Sequence, residues 1–336
     1  MTTITEVAKY AGVSVKTVSR VMNNYEHISP KTKARVEKAM QDLQYTPSTV
    51  ARQMRLGDSL SIGMLYSDPS GGYQARLNHA VLKACSDARR YLAVELFDEK
   101  GADWVKQVEA FLDRTKVKNL ILVPPMCDST DVHELLHDRD VNFVLVSPSR
   151  PVQGALSLAM DDRLAAKEMV RHFIDLGHTK IGHISGHPGH IASLLRRQGY
   201  EEAMTKAGLS INEAYVASGR FKFREALEIA DRMLSMKDRP TAIFASNDEM
   251  AAAVVMKASR LGLSIPEDLS VAGFDDTPIA QTIWPELTTV AQPFEQIANE
   301  AVKALSLQKA SGGRVSETLI LDHSVIVRES TGPVPQ

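Results

Sequence analysis

A chain of 336 residues with 44 % hydrophobic content and an even scatter of charge holds two domain-sized cores beside a small head. It has no apolar run long enough to span a bilayer, and it starts on a polar helix pattern instead of an export segment, so a cytoplasmic location is expected. Its two cysteines, Cys85 and Cys127, stand in apolar or helical surroundings and read as reduced thiols, not as a disulfide framework.

Thr3 and Glu6 have the spacing of a capping box, in which hydroxyl and carboxylate reciprocally satisfy the first free N–H groups of a helix. That helix is expected to end near Tyr10, with Gly12 supplying the turn and Ser14 capping a second helix. Val7, Ala8, Ala11, Val13, Val18 and Val21 form the apolar seam between the two. Two short helices about one turn make a helix-turn-helix. Its second helix lies in the major groove with its first residues at base edges, which makes Val15, Lys16 and Arg20 the expected sequence readers. Such helix pairs also occur in bundles that bind no DNA, and charge separates the two readings. Residues 1–57 carry nine Lys and Arg against four acids, a net of +5 in a chain of net −2, so the remainder carries −7. A small basic head on an acidic body is the footprint of phosphate contact. A third helix follows, with Ser29 as its cap ahead of Pro30 and an apolar face of Ala34, Val36, Ala39, Met40 and Leu43. The head is therefore expected over 1–46. From 47 to 58, Pro47 opens a stretch too brief and exposed to be a stable helix unless something holds it.

From Ser61 onward, short apolar runs alternate with amphipathic stretches. Strands are expected at Ile62–Tyr66, Leu92–Phe97, Leu120–Val123 and Phe143–Val146, with helices between them, the first over 75–90. A second series follows: helices at 163–176, 191–207, 224–236 and 248–261, and strands at 181–185, 242–245 and 270–274. The alternation implies two α/β units, each a doubly wound parallel sheet covered on both faces. Returns at 289–292, 318–321 and 325–327, with a helix at 294–307, read as crossings between two lobes. One lobe is expected over about 59–159 and 292–322, the other over about 161–289 and 323–330, with a cleft between them. Ligands of open parallel sheets sit beyond the carboxyl ends of the strands, so Asp68 to Tyr73, Ser246 to Asp248 and Asp275–Asp276 are candidate contacts. Their Asp, Asn and aromatic groups suit the hydroxyls and the flat face of a sugar. Asn247 and Asp248 read equally well as caps of the helix after them, and Asp276 reads as structural. Lys100 reads as an exposed lysine.

His178, His183, His187 and His190 fall within thirteen residues but lack a Cys or carboxylate at ligand spacing, so no metal is expected. Gly71–Gly72 lacks the glycine pattern and the Lys-Ser or Lys-Thr of a phosphate-cradling loop. No serine stands on a nucleophile elbow. The chain is expected to be neither an enzyme nor a cofactor protein.

From Glu6 to Asn23 the sequence EVAKYAGVSVKTVSRVMN resembles the lactose/galactose-repressor (LacI/GalR) family, which reads DVAxxAGVSxxTVSRVLN there. More loosely, the stretch from Pro47 to Met54 resembles the family's hinge, PNxxARxL, with Ser48 in place of Asn and Met54 in place of Leu. The resemblance implies a hinge helix entering the minor groove through Ser48, Ala51 and Met54, the last as an apolar wedge. It makes Thr3, Ser14, Thr17, Asn23, His27 and Ser29 phosphate contacts. It implies a body similar to periplasmic sugar-binding proteins, in which Asp275 and Asn247 would hydrogen-bond an effector, Arg196 clamp it, Phe221 stack on it and Asp161 sit at the lobe crossing. Asp68 and Tyr73 are expected at the same mouth. The implied function is a repressor of carbohydrate-utilisation genes, controlled allosterically by a small sugar. A homodimer on a near-palindromic operator follows from two-fold symmetry. The short polar end from Arg328 to Gln336 has no heptads, which favours the dimer over a tetramer.

Overall fold

The computed structural model describes residues 2–22, 25, 28–45, 60–68, 71–99, 101, 103–307 and 317–335. It divides into two compact units, residues 1–59 and 60–336. Asn23, His27, Lys100 and the hinge positions Ser48, Ala51 and Met54 lie outside the described residues.

The head contains α1 (Ile4–Tyr10), α2 (Val15–Met22) and α3 (Pro30–Asp42). The capping box forms as its spacing requires: Glu6 N donates to Thr3 Oγ1 at 3.3 Å, and Thr3 N donates to Glu6 Oε2 at 2.7 Å. Gly12 ends α1 with φ +61°, a left-handed conformation that costs glycine little. Val7, Val18 and Val36, one from each helix, are fully buried in a small common core.

The body opens with β1 (Ser61–Tyr66), α4 (Gly72–Asp87), β2 (Tyr91–Leu96), α5 (Trp104–Thr115), β3 (Asn119–Leu122), α6 (Thr130–Asp138), β4 (Asn142–Val146) and β5 (Leu156–Met160). It continues with α7 (Asp162–Asp175), β6 (Ile181–Ser185), α8 (Ile191–Lys206), β7 (Val216–Ser218), α9 (Phe223–Leu234), β8 (Ala242–Ala245), α10 (Asp248–Arg260) and β9 (Ser270–Ala272). Last come α11 (Pro278–Thr282), β10 (Thr289–Ala291), α12 (Phe294–Leu307), β11 (Glu317–Leu321) and β12 (Ser324–Ile326).

The first sheet runs β11-β5-β4-β3-β1-β2, all parallel, and the second runs β7-β6-β8-β9, also parallel. Alternation along each strand feeds two cores per sheet. Met64, Ile121 and Val144 face one core of the first lobe with Phe294 and Ile297 of α12, while Leu65, Leu120 and Leu145 face the other with Phe111 of α5. Ile243 and Val271 face one core of the second lobe, and Phe244 and Ala272 its opposite. A sheet buried on both faces must be covered by helices, which is why these strands read as continuous apolar runs. The chain passes between the lobes three times: from β5 into α7, from β10 into α12, and from β11 into β12, which pairs antiparallel with β10.

Several elements differ from expectation, the helix Pro278–Thr282 among them. The strand Leu156–Met160 is not signalled by its own residues, because Leu-Ser-Leu-Ala-Met holds no β-branched side chain; pairing between β4 and β11 extends it regardless. Val216–Ser218 is too short to show a period. The first body helix begins at Gly72, not Ala75, and ends at Asp87, not Arg90.

Candidate functional site

On the head, Ser14 Oγ accepts from Thr17 N at 3.1 Å, and Ser29 Oγ accepts from Thr32 N at 3.2 Å. A hydroxyl that accepts a backbone N–H can keep its own proton for a phosphate oxygen, so Ser14 and Ser29 can cap a helix and meet DNA at once, whereas Thr3 Oγ1 already donates to Glu6 Oε2 at 3.1 Å. All three are exposed, and Thr17 Oγ1 lies 2.9 Å from Ser14 Oγ. Lys16 projects to solvent from the first turn of α2, which contains no acid. Arg20 rests over the Tyr25 ring at 5.2 Å. Val15 is half-buried against the head core, so it has less of its side chain to offer a base than Lys16 or Arg20.

In the body, the carboxyl ends of both sheets face a cavity of about 200 Å³ between the lobes. The first lobe supplies Asp68, Gly71 to Gln74, Pro124 and Ser147; the second supplies Asp162, His190, Ala192, Arg196, Phe221, Lys222, Asn247, Glu249 and Asp275; Gln292 comes from the crossing after β10. Three of these residues, Ser147, Phe221 and Asp275, have φ of 50°, 60° and 108°. Such conformations are costly without glycine and cluster where a side chain must be aimed.

Glycines make the approach of these groups possible. A Cβ at Gly199 on α8 would overlap the carbonyl oxygen of Arg163 on α7, so only glycine lets the two helices touch there. That contact brings Arg196, three residues earlier, to Asp162 in the first turn of α7. A Cβ at Gly186 would fall against the Phe221 ring, so its absence gives that ring a seat.

Arg196 organises the floor. Its Nε donates to Asp162 Oδ1 at 2.8 Å, one terminal nitrogen donates to the Ser246 carbonyl at 2.5 Å and lies 3.7 Å from Asp275 Oδ1, and its carbon centre stacks 3.5 Å from the Phe274 ring. Gln292 donates its amide to Asp275 Oδ1 at 2.6 Å, tying the lobe crossing to the floor. Burial pushes the Asp275 carboxyl well above the usual range, with the charges of Asp248 and Glu249 adding to it and Arg196 opposing. Behind it, Asp248 accepts from Thr277 N and Oγ1 at 2.7 and 2.9 Å and from Thr289 Oγ1 at 2.6 Å; burial still raises its carboxyl to about 7.

Asn247 caps a helix and lines the cavity. Its Oδ1 accepts from Met250 N at 2.9 Å as the cap of α10. Tyr73 lines the cavity with its ring edge-to-face on Phe294, and burial raises its hydroxyl above the ordinary range. Asp161 does not line it. Its carboxylate accepts from Leu164 N at 2.9 Å as the cap of α7, and the neighbouring Asp162 faces the ligand space instead. The signal was available: of two consecutive aspartates at a helix start, the first is spent on the cap. Asp276 pairs with Arg328 at 2.6 Å, outside the cavity. Glu249, Lys222 and Gln292 carried no such signal, because helix register and the lobe crossing bring them in. The clustered histidines separate only in part: His183 is stacked in the core and gives Nδ1 to the Phe244 carbonyl at 3.1 Å, His178 bonds Thr241 and Ser270, the His187 and His190 rings stay together at 5.2 Å, and no metal-holding cluster occurs among the described residues.

A helix-turn-helix head and a two-lobed body with a polar cleft are the build of a DNA-binding regulator with a small-molecule site. Residues 3–48 match the model of bacterial regulatory proteins of the lacI family, and residues 170–331 match that of the periplasmic binding protein-like domain. The chain is 31 % identical over 334 residues to the HTH-type transcriptional repressor PurR of Photobacterium profundum, covering 98 % of each. It is 32 % identical over 308 residues to the ribose operon repressor of Escherichia coli (strain K12), covering 91 % of this chain and 92 % of that one. It also superposes on a crystal structure of the lac repressor dimer bound to operator and the anti-inducer ONPF with a TM-score of 0.80 at 28 % identity, over 98 % of this chain and 99 % of that one. The chain belongs to the LacI family of bacterial regulatory proteins.

Proposed function

We propose that this protein is a cytoplasmic, homodimeric repressor of carbohydrate-utilisation genes whose affinity for a near-palindromic operator is set by a small sugar or sugar derivative in the cleft. The carrying observation is the cavity itself. At about 200 Å³ it lies below the usual ~300–1,000 Å³ of drug-sized sites and suits a single ring. Asp275, Asn247 and Arg196 offer acceptors and donors for adjacent hydroxyls, and Phe221 offers a flat apolar face. Similarity to a repressor named for a ribose operon supports the same chemistry. Leu82 on α4 and Tyr91, Val94 and Leu96 on the edge strand β2 expose apolar surface that a second copy would cover.

The mechanism follows from where the ligand space lies. A ligand touching Asp68 and Tyr73 on one lobe and Arg196 and Asp275 on the other draws on both, so it favours one angle between the lobes over another. Through Gln292, bonded to Asp275, that preference reaches the crossing strands. In a dimer a changed lobe angle moves the paired first lobes and with them the segments that follow the heads. A coupling of about 1–3 kcal/mol switches operator occupancy several-fold.

The test is a titration of the dimer against its own promoter DNA with and without a panel of sugars, paired with thermal unfolding. A ligand present at about a hundred times its Kd adds roughly 2.7 kcal/mol to stability. A panel in which no carbohydrate shifts either the melting temperature or the operator affinity sinks the sensing role.

A further inference from the structure

Among the described residues four carboxyl groups and two cations face the cavity, and the two cations are already engaged. Arg196 lies 2.8 Å from Asp162 and 3.7 Å from Asp275, and Lys222 lies 3.5 Å from Asp68 across the cleft. Burial holds His190, also on the lining, toward its neutral form. The fourth carboxylate, Glu249, reaches from the first turn of α10 to the opposite lobe. There its Oε1 accepts from Gly72 N at 2.6 Å, while Asn247 Nδ2 donates to its Oε2 at 2.8 Å.

Gly72 opens α4, a helix of sixteen residues with no side-chain cap, so its first N–H groups and the positive end of its dipole turn toward the cleft. A phosphate group would be held at such a helix end. Here a carboxylate of the protein already occupies it. Space is also lacking: a Cβ on Gly72 would come within 2.9 Å of both Thr277 and Glu249 Oε1, so the two lobes touch at this point with no gap for a phosphate between them.

We infer that the cleft takes an uncharged polyhydroxyl ring, a free sugar or an uncharged derivative of one, and excludes phosphorylated sugars, with Glu249 as the residue that enforces the distinction. This rests on the sugar reading above and narrows it. A phosphate monoester would have to displace the Glu249 carboxylate from the helix end, or else lie among Asp68, Asp162 and Glu249 with each nearby cation shared.

The experiment follows thermal unfolding of the full-length protein in inorganic phosphate against potassium chloride of equal ionic strength, and in glucose, ribose and fructose each beside its phosphate ester. The wild type is expected to show no phosphate-specific rise, and any sugar that stabilises it to act at least ten-fold more strongly free than phosphorylated. Glu249→Ala empties the helix end and is expected to gain a phosphate-specific rise of about 1–2 °C, whereas the isosteric Glu249→Gln still fills that space and is expected to gain less than half as much. Stabilisation of the wild type by phosphate, preference for a sugar phosphate over its free sugar, or an alanine variant that gains nothing would each overturn the inference. If no free sugar moves the wild type while the phosphate arms behave as stated, the exclusion of anions stands and the sugar reading of the cleft falls.

Discussion

Arg196 is the residue on which the cleft depends. It is almost fully buried and sits between two buried carboxyl groups, Asp162 and Asp275, with Phe274 beneath it. Removing one partner of a buried ion pair leaves the other uncompensated, which costs about 3–5 kcal/mol. Arg196→Ala is therefore expected to lower the urea midpoint by an amount of that order and to abolish ligand-induced stabilisation. Arg196→Lys is expected to recover little, because a lysine can neither fork between two acceptors nor stack flat on a ring. A loss below about 1 kcal/mol for the alanine variant would show that water or a rearranged carboxyl replaces the guanidinium. His183 gives a second test at this scale. Burial drives its pKa from 6.5 down to about 3, with Arg197 and Arg196 adding to the fall and the Phe244 carbonyl opposing it. The folded chain thus holds this ring neutral where the unfolded chain binds a proton. Its contribution to stability is complete above pH 6.5 and is lost as pH falls toward 3. His133, His172, His178 and His190 are lowered for the same first reason, burial, and act in the same direction. Asp248, raised to about 7, acts oppositely: its share is present below the ordinary carboxylate value of 3.8 and is lost as pH rises through 7. His183→Phe is expected to keep the stack with Tyr200 and Phe244, cost about 1–3 kcal/mol for the unpaired carbonyl, and flatten the melting temperature between about pH 6.5 and 4 relative to the wild type. An unchanged pH slope would assign that acid sensitivity to the other histidines.

At the scale of elements, α7 and α8 touch at Gly199. Gly199→Ala would push a methyl group into the Arg163 backbone, which cannot swing aside as a side-chain end can. Overpacking of this kind costs about 1–3 kcal/mol, and because Arg196 rides on the same helix, ligand binding is expected to weaken along with stability. Thermal unfolding with and without ligand measures both; an alanine variant of wild-type stability would mean that the helices can separate freely. Element identity was largely legible in the sequence, for reasons that differ by element. The capping box at Thr3 and Glu6 and the proline start of α3 are local chemistry, and local chemistry is written in consecutive residues. Strands such as Ile181–Ser185 and Ala242–Ala245 announce themselves because both their faces are buried. Leu156–Met160 gave no such notice, since its neighbours in the sheet, not its own side chains, hold it extended. The start of α4 at Gly72 was hidden for a related reason. A Gly-Gly pair reads as loop, and only the approach of Thr277 and Glu249 from the other lobe explains why a glycine opens this helix.

For the whole molecule, the head and the body answer to different forces. If the head meets DNA as proposed, log affinity for operator falls steeply and linearly with log salt, because each phosphate contact releases counterions. Lys16→Ala and Arg20→Ala are each expected to cost about 1–3 kcal/mol and to relax base preference if these side chains reach base edges, or to reduce the salt slope by about one if they meet phosphate instead. Fluorescence anisotropy on operator and scrambled duplexes across a salt series separates these outcomes, and a flat salt dependence would remove the DNA reading of the head. By itself the sequence determined what depends on neighbouring residues: the capped helices, the basic charge of the first 57 residues, the alternation of strand and helix, and the stretch from Glu6 to Asn23 through which the family shows. It placed Asp275, Asn247, Arg196 and Phe221 among the candidates, because groups at strand ends and helix starts can be found by counting and the family resemblance supplied the rest. Only the tertiary structure decided that Gln292 holds Asp275 and that Glu249 spans the cleft to the start of α4. Those choices rest on distances of a few ångströms between residues as far as 177 positions apart in the chain, and no local pattern encodes a distance of that kind.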